Sequence, residues 1–303
     1  MIKNFLFHRV NPERDILWDP MDVKLFDQCI AYIKRKYTII TIEDLSETLL
    51  DKKYATISFD DGYKDNIIYA LPILEKHDVK ASFYVVTDCI DKNIPTWTYI
   101  LDYLFLKTNR TSIDLNFDFI NSEVQSVNFE HAKQKISYAK KLKPELKNLT
   151  HEQRNLVLAK ISETFDDVEL PAMMMNWDDL KTLSSQGHHI GSHTVSHSML
   201  GTMNNDAEIR YELETSAKRI KEKLGFFPKT ISYPVGSYNQ TTIKISKEVG
   251  YSIGLAVKQD IYLPKRDDIF EIPRIELYNE SWFKTSLRIN HTLEKIKKLI
   301  KYR

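Results

Sequence analysis

Tyr54-Ala55-Thr56-Ile57-Ser58-Phe59-Asp60-Asp61-Gly62 is an apolar run that ends abruptly in two carboxylates and a glycine. A short run rich in β-branched and aromatic residues reads as a buried strand, and the acidic pair marks where the chain leaves it. Downstream, the spacing predicts a helix over Asp65 to His77, with Pro72 as a kink or a local cost, and then a strand over Ala81 to Val86. Upstream, strands at Phe5 to His8 and Thr38 to Ile42 flank a helix over Val23 to Arg35. The alternation returns after residue 177. Helices are expected at Trp177 to Gln186, Asp206 to Leu224 (stopped by Gly225) and Gln240 to Val249 (stopped by Gly250), with strands entering at His189 and covering Thr230 to Tyr233, Ser252 to Val257 and about Ile272 to Leu277. Strand then helix, repeated seven or eight times, predicts an α/β fold with a mainly parallel sheet, and that many units suffice to close a barrel.

Between Pro95 and Pro171 the rhythm breaks. About seventy residues rich in Lys, Asn and Glu read as a mostly helical insertion over 95–171, with helices best supported at Gln134 to Leu142 and Glu152 to Phe165. Because it follows a strand end, it is expected over the barrel mouth, as a lid, a substrate wall or surface decoration. The whole chain, 1–303, reads as one domain that includes this insertion and ends in an amphipathic helix over 281–303. Leu293, Ile296, Leu299 and Ile300 fall on one side of that helix, and Lys295, Lys297, Lys298, Lys301 and Arg303 on the other. Such a helix docks on the barrel or lies on an anionic membrane surface.

Composition narrows the function classes. With 42% hydrophobic and 28% charged residues the chain can fill a core and solvate its outside. Its 43 basic residues against 42 acidic ones leave no net field, so nucleic acid is not an expected partner. Cys29 and Cys89 are too few for a disulfide framework. The apolar run after Met1 is too short for a secretory signal and no window approaches a membrane span, so a cytoplasmic location is expected, with membrane association through the basic helix as a variant.

The chemistry is concentrated in two places. Asp60-Asp61 and, far downstream, His193-Thr194-Val195-Ser196-His197 together supply Asp, His and His, a ligand set that zinc accepts and that leaves a position open to water. Cobalt, nickel and manganese could use the same set. Neighbouring carboxylates in extended backbone point to opposite sides, so one can bind a metal while the other works on water. Histidines four apart share one face if their segment is helical or turned. Asp60, His193 and Pro234 all fall at strand ends, where barrel enzymes keep their chemistry.

These residues resemble the polysaccharide deacetylases of the NodB-homology type, carbohydrate esterase family four. Ser58-Phe59-Asp60-Asp61-Gly62 is similar to the first motif of that family, Gly191-Ser192-His193-Thr194-Val195-Ser196-His197 to the second, and Ser232-Tyr233-Pro234-Val235-Gly236 to the third. A helix begun by Trp177-Asp178-Asp179-Leu180 and ending in Gly187-His188 is the fourth match. The resemblance implies a distorted (β/α)7-type barrel, Asp60 as base, Asp61, His193 and His197 as metal ligands, and the Val235 amide, with Tyr233 and Pro234, at the oxyanion. Trp177 suits a sugar-lining role or a buried place at a helix start. Ser232 stands where the family usually has an arginine that orients the base, and Arg274 in Pro273-Arg274-Ile275 is the expected substitute. The usual C-terminal Leu-x-His acid is missing. Leu6-Phe7-His8-Arg9-Val10 is similar to the N-terminal Tyr-His-x-Val segment of a permuted branch that deacetylates biofilm exopolysaccharides and surface glycans, which makes His8 the expected acid. His188 and His189 read as residues leading into a strand, and Met173-Met174-Met175 as packing. The function implied is metal-dependent removal of an N-acetyl or related acyl group from an amino sugar that is nucleotide-linked, lipid-linked or part of an oligosaccharide. O-acyl ester hydrolysis and a non-catalytic glycan-binding or scaffold role on the same fold are the alternatives.

Overall fold

A computed structural model describes residues 1–45 and 52–293. The first half of the barrel is built by β1 (Ile2–Phe7), α1 (Val23–Lys36), β2 (Thr38–Ile39), β3 (Tyr54–Phe59), α2 (Leu71–Lys76), β4 (Ser82–Val85) and α3 (Thr87–Lys92). The inserted segment contributes α4 (Trp97–Lys107), β5 (Ser112–Asp114), β6 (Ser126–Asn128), α5 (Ala132–Asn148) and α6 (His151–Thr164). The second half comprises α7 (Trp177–Ser185), β7 (His189–Ser192), α8 (Asp206–Leu224), β8 (Thr230–Ser232), α9 (Gln240–Val249), β9 (Ile253–Leu255), β10 (Ile275–Glu276) and α10 (Trp282–Ile289).

The main sheet runs β10-β1-β3-β4-β7-β8-β9 with every pair parallel, and β2 lies beside the start of β3. Its two ends meet through one parallel bridge, Leu255 to Ile272, just ahead of β10. The barrel is therefore distorted, closed at that seam by a single bridge and not by a full ladder.

Strand alternation sorts the side chains into an outer apolar face and an inner face that mixes an apolar cluster around Ile2, Tyr84 and Leu255 with polar groups. Phe7, Phe59 and Phe83 sit at one level of β1, β3 and β4 and stack with ring centroids 5.5 and 4.9 Å apart. Phe26 of α1 meets Phe7 edge-on at 5.0 Å, so this row faces the helices. The intervening residues turn inward: Thr56 donates to Asn4 at 2.9 Å, and Ser58 and Asp60 continue that column toward the mouth. The insertion has an apolar cluster of its own, with Phe105 against Phe129, Tyr138 and Phe165.

Several local expectations differ from the structure. The segment after β3 opens as a π-helical turn over Asn66–Ala70, and α2 starts only at Leu71. Pro72 thereby falls in a first turn, where its missing N–H is not needed. In the insertion α5 runs through Pro144 to Asn148, and β5 and β6 form an antiparallel pair not expected from the sequence. β2 and β10 are two residues each, shorter than expected. The C-terminal helix is described as far as Leu293; the basic face expected from Lys295 to Arg303 lies outside the described residues. Among the described residues no helix is long and apolar enough to cross a membrane.

His188, just before β7, gives the fold a pH signature. Its Nδ1 accepts the Ala81 N–H at 3.2 Å and its ring packs edge-on against Phe83. Burial, then the nearby Lys80 charge, pushes its pKa down to about 4. The unfolded chain, with an ordinary imidazole near 6.5, then binds the extra proton first as the pH falls. This contribution to stability is complete above about pH 6.5 and is lost as the pH falls toward 4. Urea unfolding over that window should show a steeper loss for the native chain than for His188→Asn, which keeps an acceptor but does not titrate. Equal slopes would contradict the assignment.

Candidate active site

The strand end at Asp60 is fixed before any chemistry is considered. The Asp60 N–H donates to Phe7 O at 3.2 Å, and with Phe59 turned toward the helices the carboxylate must enter the barrel. There Arg274 grips it with both terminal nitrogens, Nη1 to Oδ1 and Nη2 to Oδ2, each at 2.8 Å. Ser232 Oγ donates to Oδ2 at 3.0 Å and itself accepts from Arg274 Nη2 at 2.8 Å, while Arg274 Nε donates to Ala256 O at 3.2 Å. Arg274 is 0% exposed and Asp60 2%. Burial alone would raise the Asp60 pKa, but the Arg274 charge and then His193 outweigh it and hold the carboxyl below its ordinary range.

Asp61 leaves the strand in the left-handed region, with φ of 76°, and Gly62 follows at 89°. A Cβ on Gly62 would lie 3.0 Å from the Ile90 side chain, so glycine is favoured both by its dihedral and by space. This reversal aims Asp61 at the histidine pair. Its Oδ1 lies 3.4 Å from His193 Nε2 and 3.3 Å from His197 Nε2, and all three residues are buried.

The three residues fit a divalent metal ion. Asp61 Oδ1 is buried without a hydrogen-bond partner, an orphaned acceptor that a cation would satisfy. His193 Nδ1 lies 2.8 Å from Ser232 O; a carbonyl only accepts, so Nδ1 carries the proton and Nε2 presents its lone pair toward Asp61. One ligand atom from each of the three side chains falls within 4.8 Å of the others. Burial opposes protonation of both imidazoles. For His193 the Asp60 and Asp61 charges outweigh it and raise the pKa, whereas for His197 burial prevails and lowers it.

The loop joining the two histidines is tied down at several points. Thr194 and His197 both have positive φ, at 68° and 59°. Glu212 of α8, itself buried, accepts from the Val195 and Ser196 amides at 2.9 and 3.0 Å and from the Ser196 and Ser198 hydroxyls. From the inserted segment, Trp97 Nε1 donates to His197 O at 3.1 Å.

Above the ligand cluster opens a cavity of about 430 Å³. His8 and Glu276 border it, with His8 Nδ1 3.5 Å from Glu276 Oε1 and the His8 ring edge-on to Trp18 at 4.9 Å. Val235 lines the same space with φ of 57° and ψ of 11°, an unusual conformation for a β-branched residue. The inserted segment supplies another part of the wall, including Tyr99, Lys143 and Lys147.

The sequence pattern of polysaccharide deacetylases matches residues 49–254, two thirds of the chain. The chain belongs to the polysaccharide deacetylase family. It is 22% identical over 207 residues to YxkH of Bacillus subtilis (strain 168), and that match covers 68% of the chain but only 46% of the relative, so the chain spans about half of the relative's length. Among solved structures it is similar to the Streptococcus pyogenes deacetylase PplD in complex with acetate, with a TM-score of 0.62, 18% identity, and 95% of this chain and 97% of that chain covered. IcaB from Ammonifex degensii gives a TM-score of 0.62 at 16% identity, covering 95% and 96%. At such low identities these two likenesses carry the fold.

Within this polysaccharide deacetylase framework, the cavity is lined by Asp60, Asp61, His193, His197, Val235 and His8. Arg274 lies behind Asp60, inside the barrel. Three further expected residues fall elsewhere. Tyr233 is the outward residue of its strand end, fully buried among α8 and α9 side chains and stacked on Tyr238 at 4.7 Å, because Ser232 takes the inward place. Pro234 is buried and does not line the cavity. Trp177 packs on the barrel's outer core and donates Nε1 to Asp91 at 2.7 Å, also away from the cavity. Met174 and Met175 are core residues, and His189 pairs with Glu43 at 2.9 Å. Glu212 and Glu276 are two of 42 acidic residues, and Trp18 and Trp97 are two of four tryptophans and lie outside any local motif; only folding brings them to the site.

The ligand geometry predicts one tightly held divalent ion per chain, measurable by elemental analysis after dialysis. Asp61→Asn and His193→Ala should lose it, and full occupancy in either variant would contradict the assignment. Glu212→Ala, which removes no ligand, should lower affinity by about 10–100-fold, as for other groups that support ligands indirectly. Ligation needs a neutral imidazole, and His193 binds its proton more tightly than usual. On acidification, retention should therefore begin to fall while the pH is still above about 6.5, the ordinary imidazole midpoint, and keep falling as the pH is lowered further.

Proposed function

We propose that this chain is a metal-dependent hydrolase that removes an N-acetyl or related N-acyl group from an amino sugar during surface glycan biosynthesis. The observation that carries this reading is the placement of Asp60, clamped by Arg274 and Ser232, with Oδ2 3.9 Å from His193 Nε2 and hence beside the ligand cluster. Family membership and the cavity above the cluster support it.

A divalent ion held by Asp61, His193 and His197, of which zinc suits the ligand set best, would lower the pKa of water to about 7 and polarise the acyl carbonyl. The chain's own residues supply the proton traffic and the orientation. Asp60 remains a carboxylate through the ordinary pH range because of Arg274, so it is free to accept the proton of the attacking water. Both guanidinium bonds and the Ser232 hydroxyl fix its plane, which restricts where that water can lie. The Val235 amide supplies the donor for the developing oxyanion. Its left-handed backbone is the kind of strain that persists where surrounding structure fixes a functional group.

His8 supplies the other proton. Glu276 beside Nδ1 orients the ring, leaving Nε2 to donate to the departing nitrogen. As the C–N bond breaks, the amine leaves with the His8 proton and the acyl group leaves as a carboxylate, with the new C–O bond drawn from water. Trp18, packed edge-on against His8, limits the ring's movement.

Acyl release from N-acetylated amino sugars, followed by mass spectrometry, tests this reading. Asp60→Asn should lower turnover by about 10²–10⁴-fold with metal still bound, and His8→Ala should also lose about 10²-fold or more, as expected when a positioned base or acid is removed. Undiminished release by Asp60→Asn would remove it as the base. If His8→Ala retained turnover across pH 6 to 8, the acid would have to lie elsewhere. A metal-loaded native chain that releases no acyl group across nucleotide-linked, lipid-linked and oligosaccharide substrates would favour a binding role.

A further inference from the structure

One feature of the cavity is unused by hydrolysis: the basic edge that α5 presents at its mouth. Lys143 and Lys147 line the catalytic cavity. A second recess of about 300 Å³ shares Leu17, Asp102, Lys143 and Lys147 with it and adds Lys140 and Pro144. Positions 140, 143 and 147 recur at helical spacing, so the three ammoniums fall along one side of α5.

The carboxylates nearby do not balance them. Asp102 pairs with Lys143. Glu276 is engaged by His8 and accepts from Tyr278, and Asp60 is neutralised by Arg274. Lys147 is half-buried yet makes no hydrogen bond or ion pair among the described residues. Burial, then the like charge of Lys143, lowers its pKa, which means that its charged form lacks a partner. A half-buried ammonium facing a substrate cavity costs stability unless an anion meets it. The uncharged body of an acetylated sugar offers none.

We propose that Lys147, assisted by Lys143 and Lys140, binds a phosphate group carried by the amino-sugar substrate. This rests on the deacetylase reading and specifies its substrate class: a sugar phosphate or phosphodiester, in place of a neutral polymer. Two ammoniums in excess of Asp102 match the double charge of a phosphate monoester or pyrophosphate better than the single charge of a carboxylate. The recess opens off the catalytic cavity, so a phosphate on the same sugar, or one bond beyond it, can occupy the recess while the acyl group lies over Asp60.

The test compares N-acetylglucosamine 1-phosphate, UDP-N-acetylglucosamine and the neutral methyl glycoside on the metal-loaded full chain, by calorimetric binding and by acetate release. The expected result is a preference of about tenfold or more for at least one phosphorylated probe over the neutral one, the worth of one charge-assisted contact, and a decline in that preference with added salt. Lys147→Gln should reduce the preference at least several-fold, Lys147→Arg should retain most of it, and Lys140→Gln should weaken it less. The two phosphorylated probes separate a single phosphate from a nucleotide diphosphate as the favoured source. Acetate release from all three probes with equal kcat/KM would leave the deacetylase reading standing and overturn the phosphate site. A phosphate preference lost in Lys147→Gln, with no acetate released from any probe, would support the site while contradicting the deacetylase reading. A preference unchanged in Lys147→Gln would assign phosphate binding to the metal or to another group, and so overturn the role of Lys147.

Discussion

The rest of the structure is arranged around one buried ion pair, Asp60 with Arg274. The carboxylate comes from the end of β3 and the guanidinium from the segment leading into β10, and both lie inside the barrel with almost no exposure. Two charges removed from water are tolerable only if each is fully engaged. Here Asp60 takes three donors, and Arg274 spreads its bonds over Asp60, Ser232 and the Ala256 carbonyl. The pair thus joins β3, β8, β10 and the chain just beyond β9, close to the seam that is closed by a single bridge. What would otherwise be the weakest part of the sheet is also where the candidate base is held.

Around this pair the backbone repeatedly departs from low-energy geometry. Of eight non-glycine residues with positive φ among those described, Asp61, Thr194, His197 and Val235 are in the candidate site. Such conformations persist only when surrounding contacts over-determine them, and the contacts are visible. Gly62 permits the reversal after Asp61, Glu212 gathers the amides and hydroxyls of the histidine loop, and Trp97 anchors the His197 carbonyl. The inserted segment is therefore connected to the candidate metal ligands as well as to the cavity wall, since the helix that begins at Trp97 continues to Tyr99.

Much of the fold was legible because each strand–helix unit carries its own punctuation. Gly225 and Gly250 stop their helices in the left-handed conformation, and the apolar runs at Tyr54 and Thr230 have no competing period. The β5–β6 pair was not legible, since Ser112–Asp114 and Ser126–Asn128 are too short and polar to show alternation. In the site, the motifs point to Asp60, Asp61, His193 and His197 because their spacing is local, and the fold brings these four side chains together. Tyr233 shares the motif but not the cavity, since alternation along β8 allows only one of Ser232 and Tyr233 to face inward, and the Ser232 hydroxyl bonds Asp60. Glu212 and Glu276 left no local signal, as each becomes special only through partners far away in the chain.

The most direct test of this account is a double-mutant cycle between Asp60→Asn and Arg274→Met, read by denaturant unfolding. Removing one partner of a buried pair typically costs about 3–5 kcal/mol because the other charge is left unpaired. The account predicts that Arg274→Met is strongly destabilising in the native background and distinctly milder once Asp60 is Asn, with a coupling of about 1 kcal/mol or more. Effects that add to within about 0.5 kcal/mol would contradict it, because Asp60 would then not depend on Arg274 for its charge or its place.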